Sequence, residues 1–300
     1  MGQPIVEFRS VYADYGRGAV LKSISFSFDQ GSLVVLGPNG AGKTTMINIV
    51  LGLLKPARGE CIIFGRKCEE NLSRGFTDIA ASAEKPNIVR GSILDFIDYI
   101  SFYRNVNWGE FYDYIDRFNL RQEYLRRKFK DLSTGEKMKL YLSAVLSIES
   151  KLYVLDEPNS NLDVDSRKIL GDILLEKLRK GAHFIITTHI YEYINDVATH
   201  LLVLSRGEIL VFGRVEEAMK RFAEGVCLVT VKSSNINKFV EELNRRGLSY
   251  RRIESGLFLV YDCQSFMSVK DLRDLAIDIK LSSLEVLYKT IMEGVARETR

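Results

Sequence analysis

Gly37-Pro38-Asn39-Gly40-Ala41-Gly42-Lys43-Thr44-Thr45 decides how this chain is read. It follows a short apolar run, residues 34–36, and opens a helical stretch, residues 44–54, that Lys55-Pro56 closes. The pattern G-x-x-x-x-G-K-[ST] between a strand and a helix is a cradle for polyphosphate. Its glycines let successive backbone N–H groups converge on one anion, and the helix that follows adds its N-terminal dipole. The candidate contacts are Asn39, Gly40, Ala41, Gly42, Lys43, Thr44 and Thr45. The Lys43 ammonium would reach the β- and γ-phosphates and the Thr44 hydroxyl would bind Mg2+.

A second signal lies further along. Lys151-Leu152-Tyr153-Val154-Leu155-Asp156-Glu157 is an apolar strand ending in two carboxylates. At the carboxyl end of a strand beside a phosphate loop, Asp156 can hold Mg2+ and Glu157 can polarise an attacking water. Residues 184–187 and 201–204 are further short apolar runs, the pattern of strands buried on both faces of a parallel sheet. Between such runs, residues 166–180 place Ile169, Ile173, Leu174 and Leu178 on one helical stripe. The alternation predicts an α/β domain with a mainly parallel sheet, and residues 5–8 and 24–28 predict an antiparallel edge. Residues 92–150 read as helices, with Phe96, Tyr99, Phe102, Tyr103, Trp108, Phe111 and Tyr112 expected in the core. A boundary near Gly225 divides the chain into domains 1–224 and 225–300. The second reads as a small α+β unit: strand 226–231, helix 236–246, strands 250–253 and 257–261, then one or two helices.

Composition narrows the function. The chain has 300 residues, 46% apolar and 27% charged, which argues against disorder. Lys and Arg number 42 against 39 Asp and Glu, a net charge of +3, so no nucleic acid partner is expected. No apolar run reaches the roughly 18 residues of a membrane helix. The start, MGQPIVEFRS, lacks a signal-peptide apolar region, and Val6 stands where N-myristoylation needs Ser or Thr. Cys61, Cys68, Cys227 and Cys263 show neither C-x-x-C nor zinc spacing and read as free thiols in a reducing compartment. His183 and His200 read as structural. No N-K-x-D occurs, so adenine is favoured over guanine as the base.

Four more segments carry a resemblance. Leu132-Ser133-Thr134-Gly135-Glu136 is similar to the signature L-S-G-G-Q of the ABC transporter family's ATP-binding cassettes. Ser160-Asn161-Leu162-Asp163 resembles that family's D-loop, Thr187-Thr188-His189 its switch histidine, and Tyr15, 28 residues before Lys43, its adenine-stacking aromatic. Residues 4–220 share the resemblance, which implies a P-loop NTPase fold: a mainly parallel core with an antiparallel β edge and a helical subdomain at about 88–150. It implies ATP hydrolysis with Mg2+ by two cassettes, a homodimer or a pair with a paralogous cassette. Each nucleotide would lie on the Lys43 loop of one copy and under Ser133, Gly135 and Glu136 of the other. Glu157 would be the general base, Asp156 and Thr44 metal ligands, His189 a γ-phosphate contact, and Asp163 a registering residue. Glu84 stands where the family has its Q-loop glutamine, on aligning Pro86-Asn87, and its carboxylate can also ligate Mg2+. Thr134 and Glu136 replace Gly and Gln. The resemblance is closest to ABC-2-type, bacitracin- or multidrug-exporter-like ATPases. Residues Ser283-Leu284-Glu285-Val286-Leu287-Tyr288 resemble the ending of such cassettes. That implies a separate transmembrane permease as partner and a place on the cytoplasmic face of the cell membrane. A soluble ribosome- or DNA-associated ATPase and a low-turnover nucleotide-sensing module remain as alternatives.

If the Gly37–Thr45 turn grips polyphosphate, Lys43→Ala abolishes ATP binding. Equilibrium titration with a fluorescent ATP analogue checks it, and unchanged affinity would refute the assignment.

Overall fold

A computed structural model describes residues 3–16, 18–70, 77–85, 91–191, 193–281 and 283–298. Pro86-Asn87, residues 88–90 of the helical segment and Met1-Gly2 lie outside the described residues. The chain divides into two compact units, Met1–Phe212 and Gly213–Arg300.

In the first unit, β1 (Val6–Asp14), β2 (Ala19–Phe28), β4 (Arg58–Ile63) and β5 (Arg66–Lys67) form a sheet ordered β2-β1-β4-β5. The β1–β2 and β1–β4 pairs are antiparallel, as residues 5–8 and 24–28 predict. Apolar residues at alternate positions of β2, such as Ile24, Phe26 and Phe28, turn inward, and Phe26 stacks on Phe8 at 4.8 Å between ring centroids.

A second sheet holds β3 (Ser32–Leu36), β6 (Ile79–Ser82), β7 (Leu152–Asp156), β8 (His183–Thr187), β9 (His200–Ser205) and β10 (Glu208–Arg214), in the order β10-β9-β3-β8-β7-β6. The β3, β6, β7, β8 and β9 ladders are parallel. All five residues of β3 and of β7 are buried, which is why they read as unbroken apolar runs. Helix α1 (Lys43–Val50) buries Met46, Ile47, Ile49 and Val50. It ends four residues earlier than residues 44–54 suggest, because Gly52 takes a left-handed φ of 69° just past the end.

The helical segment contains α2 (Ile93–Ser101), α3 (Trp108–Arg117) and α4 (Thr134–Ser147). Ser92 and Asp95 form a capping box on α2, and Asn107 caps α3. Helix α5 (Val164–Arg179) is tied to α3 by Lys177, whose Nζ lies 2.8 Å from Glu110 Oε2. Burial pulls the Lys177 ammonium's pKa down, and Glu110 opposes that shift. Phe111 is buried as expected, but Tyr99, Phe102, Tyr103 and Tyr112 are 63%, 82%, 72% and 41% exposed. Helix α2 buries the Ile93 and Ile97 side, which turns Tyr99 and the residues after it outward. His183 accepts the Gly31 N–H at 3.1 Å, and His200 packs against the Phe28 ring at 5.5 Å, both structural contacts.

Cys61 and Cys68 overturn the free-thiol expectation: they are joined by a disulfide. The reason is local. Phe64 and Gly65 both take positive φ, 47° and 76°, in the two-residue turn between β4 and β5. Ile63 then faces Arg66 and Ile62 faces Lys67, so the next pair outward is Cys61 and Cys68, with Cα atoms 5.5 Å apart. Cys227 and Cys263 are free.

The second unit starts at Gly213 and not near Gly225, because α6 (Val215–Phe222) packs with the C-terminal α10 (Leu284–Glu298). Its sheet is ordered β12-β13-β11-β14, from β11 (Cys227–Val231), β12 (Tyr250–Glu254), β13 (Leu257–Val260) and β14 (Ala276–Leu281), with antiparallel pairs. Helix α7 (Ile236–Arg245) and the short pair α8 (Cys263–Ser268) and α9 (Lys270–Leu275) complete a β-α-β-β-α-β unit. Phe239, Phe258, Phe266 and Leu272 fill its core. The strand β14 was not expected; Ala-Ile-Asp-Ile-Lys-Leu alternates with the period of a strand and pairs with β11.

The disulfide closes a short loop, which by chain entropy is worth about 2 kcal/mol. Cys61→Ser/Cys68→Ser is expected to lower the urea midpoint of the first unit. Equal midpoints with and without the substitutions would show that the link contributes nothing.

Candidate active site

The carboxyl ends of β3, β8 and β7 come together because their register is parallel: Val35 faces Thr187, and Thr187 faces Asp156. A cavity of about 390 Å3 opens there. Asn39, Gly40, Ala41, Gly42, Lys43, Thr44 and Thr45 line it from the turn after β3, and Glu84, Asp156, Glu157 and His189 line the rest. All of these were expected from the sequence. No motif marks Val20, which also lines the cavity from β2. A strand-borne apolar residue has no chemical signature, so only the fold reveals it.

The turn is built by its glycines. Gly40 and Gly42 take φ of 77° and 105°, values that side chains strain to adopt. At Gly37 a Cβ would sit 2.2 Å from the Leu204 carbonyl oxygen, so nothing larger fits. Gly42 is the N-cap of α1 and offers no side-chain cap, which leaves the first-turn N–H groups for a ligand. Lys43 folds back, its Nζ donating to the Gly37 carbonyl at 2.8 Å.

Hydroxyls hold the Asp156 carboxylate and the Glu157 backbone. Thr44 Oγ1 donates to Asp156 Oδ2 at 3.2 Å, and Thr187 Oγ1 bonds Asp156 Oδ1. The Glu157 N–H donates to Thr187 O at 3.1 Å and to Thr187 Oγ1 at 3.0 Å. Glu157 itself has a positive φ of 49°, a strained value for a carboxylate-bearing residue. His189 meets it twice: the backbone N–H lies 3.2 Å and Nδ1 2.8 Å from Glu157 Oε2. The Ile190 N–H donates to Thr188 Oγ1 at 2.9 Å, which braces the turn that carries His189.

The remaining predicted residues gather elsewhere. Tyr15 is 55% exposed and reaches the site only at its rim, where its hydroxyl stands 3.4 Å from Thr45 Oγ1. Ser133, Gly135, Glu136 and Asp163 form a second cluster that does not line the cavity. Ser133 and Glu136 make a capping box on α4: the Ser133 N–H donates to Glu136 Oε2 at 2.8 Å, and the Glu136 N–H to Ser133 Oγ at 3.3 Å. The Ser133 backbone bond holds the Glu136 carboxyl below its ordinary pKa. Asp163 caps α5 through the Ser166 N–H at 2.8 Å and pairs with Lys139 Nζ at 2.8 Å. The Lys139 contact and the cap push its pKa far down. Gly135 abuts this segment, its Cβ position lying 3.3 Å from the Asn161 carbonyl oxygen.

The donors at the cavity are oxygens from Thr44, Asp156 and Glu84, a set suited to a hard divalent cation. Among the described residues no group of three or more His, Cys, Asp and Glu could hold a metal alone. That fits an ion completed by substrate phosphates and water.

Comparison with known proteins agrees with this geometry. A family model described as ABC transporter matches residues 21–160. A protein of Pyrococcus horikoshii named as an ABC transporter ATP-binding protein is 33% identical over 79% of this chain and 94% of its own length. A spermidine/putrescine import ATP-binding protein of Mycoplasma mycoides is 30% identical over 79% of this chain and 69% of its own. The solved structure of a dimeric ATP-binding cassette in a post-hydrolysis state, bound to ADP and Pi, superimposes with a TM-score of 0.61 at 22% identity, over 70% of this chain and 98% of that one. The chain therefore belongs to the ABC transporter ATP-binding proteins: it is an ATP-binding cassette of the P-loop NTPase fold and an ATPase.

Thr187 bonds the Asp156 carboxylate and the Glu157 N–H, so Thr187→Val removes one donor from Asp156 and one acceptor from the Glu157 N–H. Turnover is expected to fall roughly tenfold to a hundredfold, the scale of one to two lost buried bonds. ATP affinity should change much less. Steady-state phosphate release against nucleotide titration separates the two.

Proposed function

We propose that this chain powers export through a separate transmembrane permease, as one of two cassettes that close on two ATP molecules. The observation that carries the reading is the Glu157–His189 pair beside Asp156 and the Lys43 turn. Glu157 Oε2 accepts from the His189 N–H at 3.2 Å and lies 2.8 Å from His189 Nδ1; as a carboxylate it would take a proton from the attacking water. His189 fixes that oxygen's direction, and a γ-phosphate would be its second contact. Thr44 and Asp156, with Glu84 across the cavity, would hold Mg2+. Bound there, Mg2+ would neutralise charge on the β- and γ-phosphates. Tyr15, at the rim beside Thr45, would stack on the adenine face.

The second cluster supports a site shared between two copies, a homodimer or a pair with a paralogous cassette. Ser133, Gly135 and Glu136 lie outside the cavity of their own chain, yet α4 opens with an organised helix N-terminus. That end would complete the phosphate site of the partner copy, with Asp163 setting the register. Loss of the shared phosphate after hydrolysis would loosen the pair.

A face for the permease is offered by α2. A largely apolar groove of about 340 Å3 runs beside Tyr99 and Tyr103, floored by Ile79, Ala81 and Tyr141. Exposed aromatics around a groove mark a partner surface. Among the described residues no helix is long and apolar enough to cross a membrane, so the spanning helices would belong to that partner and the chain would sit on the cytoplasmic face. Export, over the import named for the polyamine relative, rests on residues 283–288.

Glu157→Gln is expected to slow turnover at least a hundredfold and to trap an ATP-dependent dimer in gel filtration. Ser133→Arg should leave nucleotide binding by the monomer intact and abolish that dimer. A Glu157→Gln protein that hydrolyses normally removes Glu157 from its role, and a dimer that survives Ser133→Arg removes the shared site. The membrane protein that co-purifies with the trapped dimer decides the transport reading.

A further inference from the structure

The second unit holds sulfur chemistry that the nucleotide site does not use. Cys227 opens β11 and is fully buried, while Cys263 opens α8 and is half-buried. Two contacts bring these points of the chain together. Cys227 faces Val260 across the β11–β13 ladder, and the Cys263 N–H donates to the Gly225 carbonyl at 2.8 Å. The two thiols are within hydrogen-bonding contact, both unoxidised. Cys263 lines a cavity of about 380 Å3, and Met219 of α6 lines the same cavity. A second soft donor therefore shares the space onto which Cys263 opens, with Cys227 buried behind it.

We infer that Cys227 and Cys263, supported by Met219, form a binding site for a soft monovalent d10 cation of the Cu(I) and Ag(I) class. Thiolate and thioether donors select such ions, which accept two or three sulfurs in linear or trigonal geometry. Zinc and iron centres ask for four donors, commonly with imidazole. Among the described residues no cluster of three or more His, Cys, Asp and Glu exists to provide them. Binding replaces two S–H bonds by two S–metal bonds and releases two protons to water, with no change of oxidation state. The product carries one negative charge. Lys220, which lines the cavity, offsets it, while Glu224 on the same wall opposes that effect. The buried position of Cys227 and the open face at Cys263 give the ion an entry path from one side only.

The test uses the full chain with its Cys61–Cys68 disulfide intact, which keeps those sulfurs out of the titration. Native mass spectrometry with Ag(I), a redox-inert probe, should show one ion per chain. Anaerobic Cu(I) competition against a colorimetric chelator should show at least a hundredfold weaker binding for Cys263→Ser and for Cys227→Ala, and about tenfold for Met219→Leu. Cys263→Ser is the deciding variant, because its half-buried side chain can be replaced without opening the core. If it melts like the parent chain and still binds with parental affinity, the proposal is overturned. It is equally overturned if the parent chain takes up no ion, or if mild oxidation by a small disulfide links Cys227 to Cys263 while no metal ion binds to the reduced pair.

Discussion

The parallel register of β3, β8 and β7 is the constraint on which the nucleotide site depends. Strand β8 lies between the strand that leads into the Lys43 turn and the strand that ends in Asp156. Its last residue, Thr187, is thereby within reach of Asp156, Glu157 and the turn that carries His189. A one-residue slip of β8 would send the Thr187 side chain to the opposite face of the sheet. The buried apolar side chains of all three strands forbid that slip, so the geometry of the carboxylates follows from packing that has no chemical role of its own.

Glu157 shows how such a scaffold carries strain. A positive φ at a residue of this kind costs on the order of 1–3 kcal/mol. The two bonds from its N–H to Thr187, together with the His189 N–H on its carboxylate, offset that cost and hold the side chain toward the cavity. An extended backbone at this position would carry β7 onward and turn the carboxylate away from the Lys43 turn.

The site was legible in the sequence to the extent that its residues carry chemistry. The Gly37–Thr45 turn, Asp156 and Glu157 announce themselves through residue type and order, Glu84 and His189 only through the family resemblance, and they do share one cavity. Val20 was silent because it supplies only shape. The disulfide was hidden for a different reason. Its signal is the symmetry of Cys61 and Cys68 about the Phe64-Gly65 turn, which means something only once the hairpin is recognised. Tyr99, Phe102 and Tyr103 were read as core because aromatic spacing cannot say which side of a helix faces the protein; Ile93 and Ile97 decide it. In the second unit, β14 was lost to the helices around it, since six alternating residues between two helical patterns weigh little against them.

Glu136 shows where motif and local physics overlap. The family-like signature has it in place of glutamine, which raises the question of what a charge does at a phosphate-binding helix end. In the folded chain that carboxylate accepts the Ser133 N–H and closes a capping box on α4, and this bond lowers its pKa. Glutamine can make the same reciprocal bond through its side-chain oxygen. The substitution therefore preserves the cap and adds a negative charge at the positive end of the α4 dipole, where it is stabilised. An incoming phosphate would compete with that charge for the same helix end. In the proposed shared site the cost of the replacement would thus fall on association of two cassettes and not on the folding of one, which separates the stability of this helix from the strength of the site it would complete.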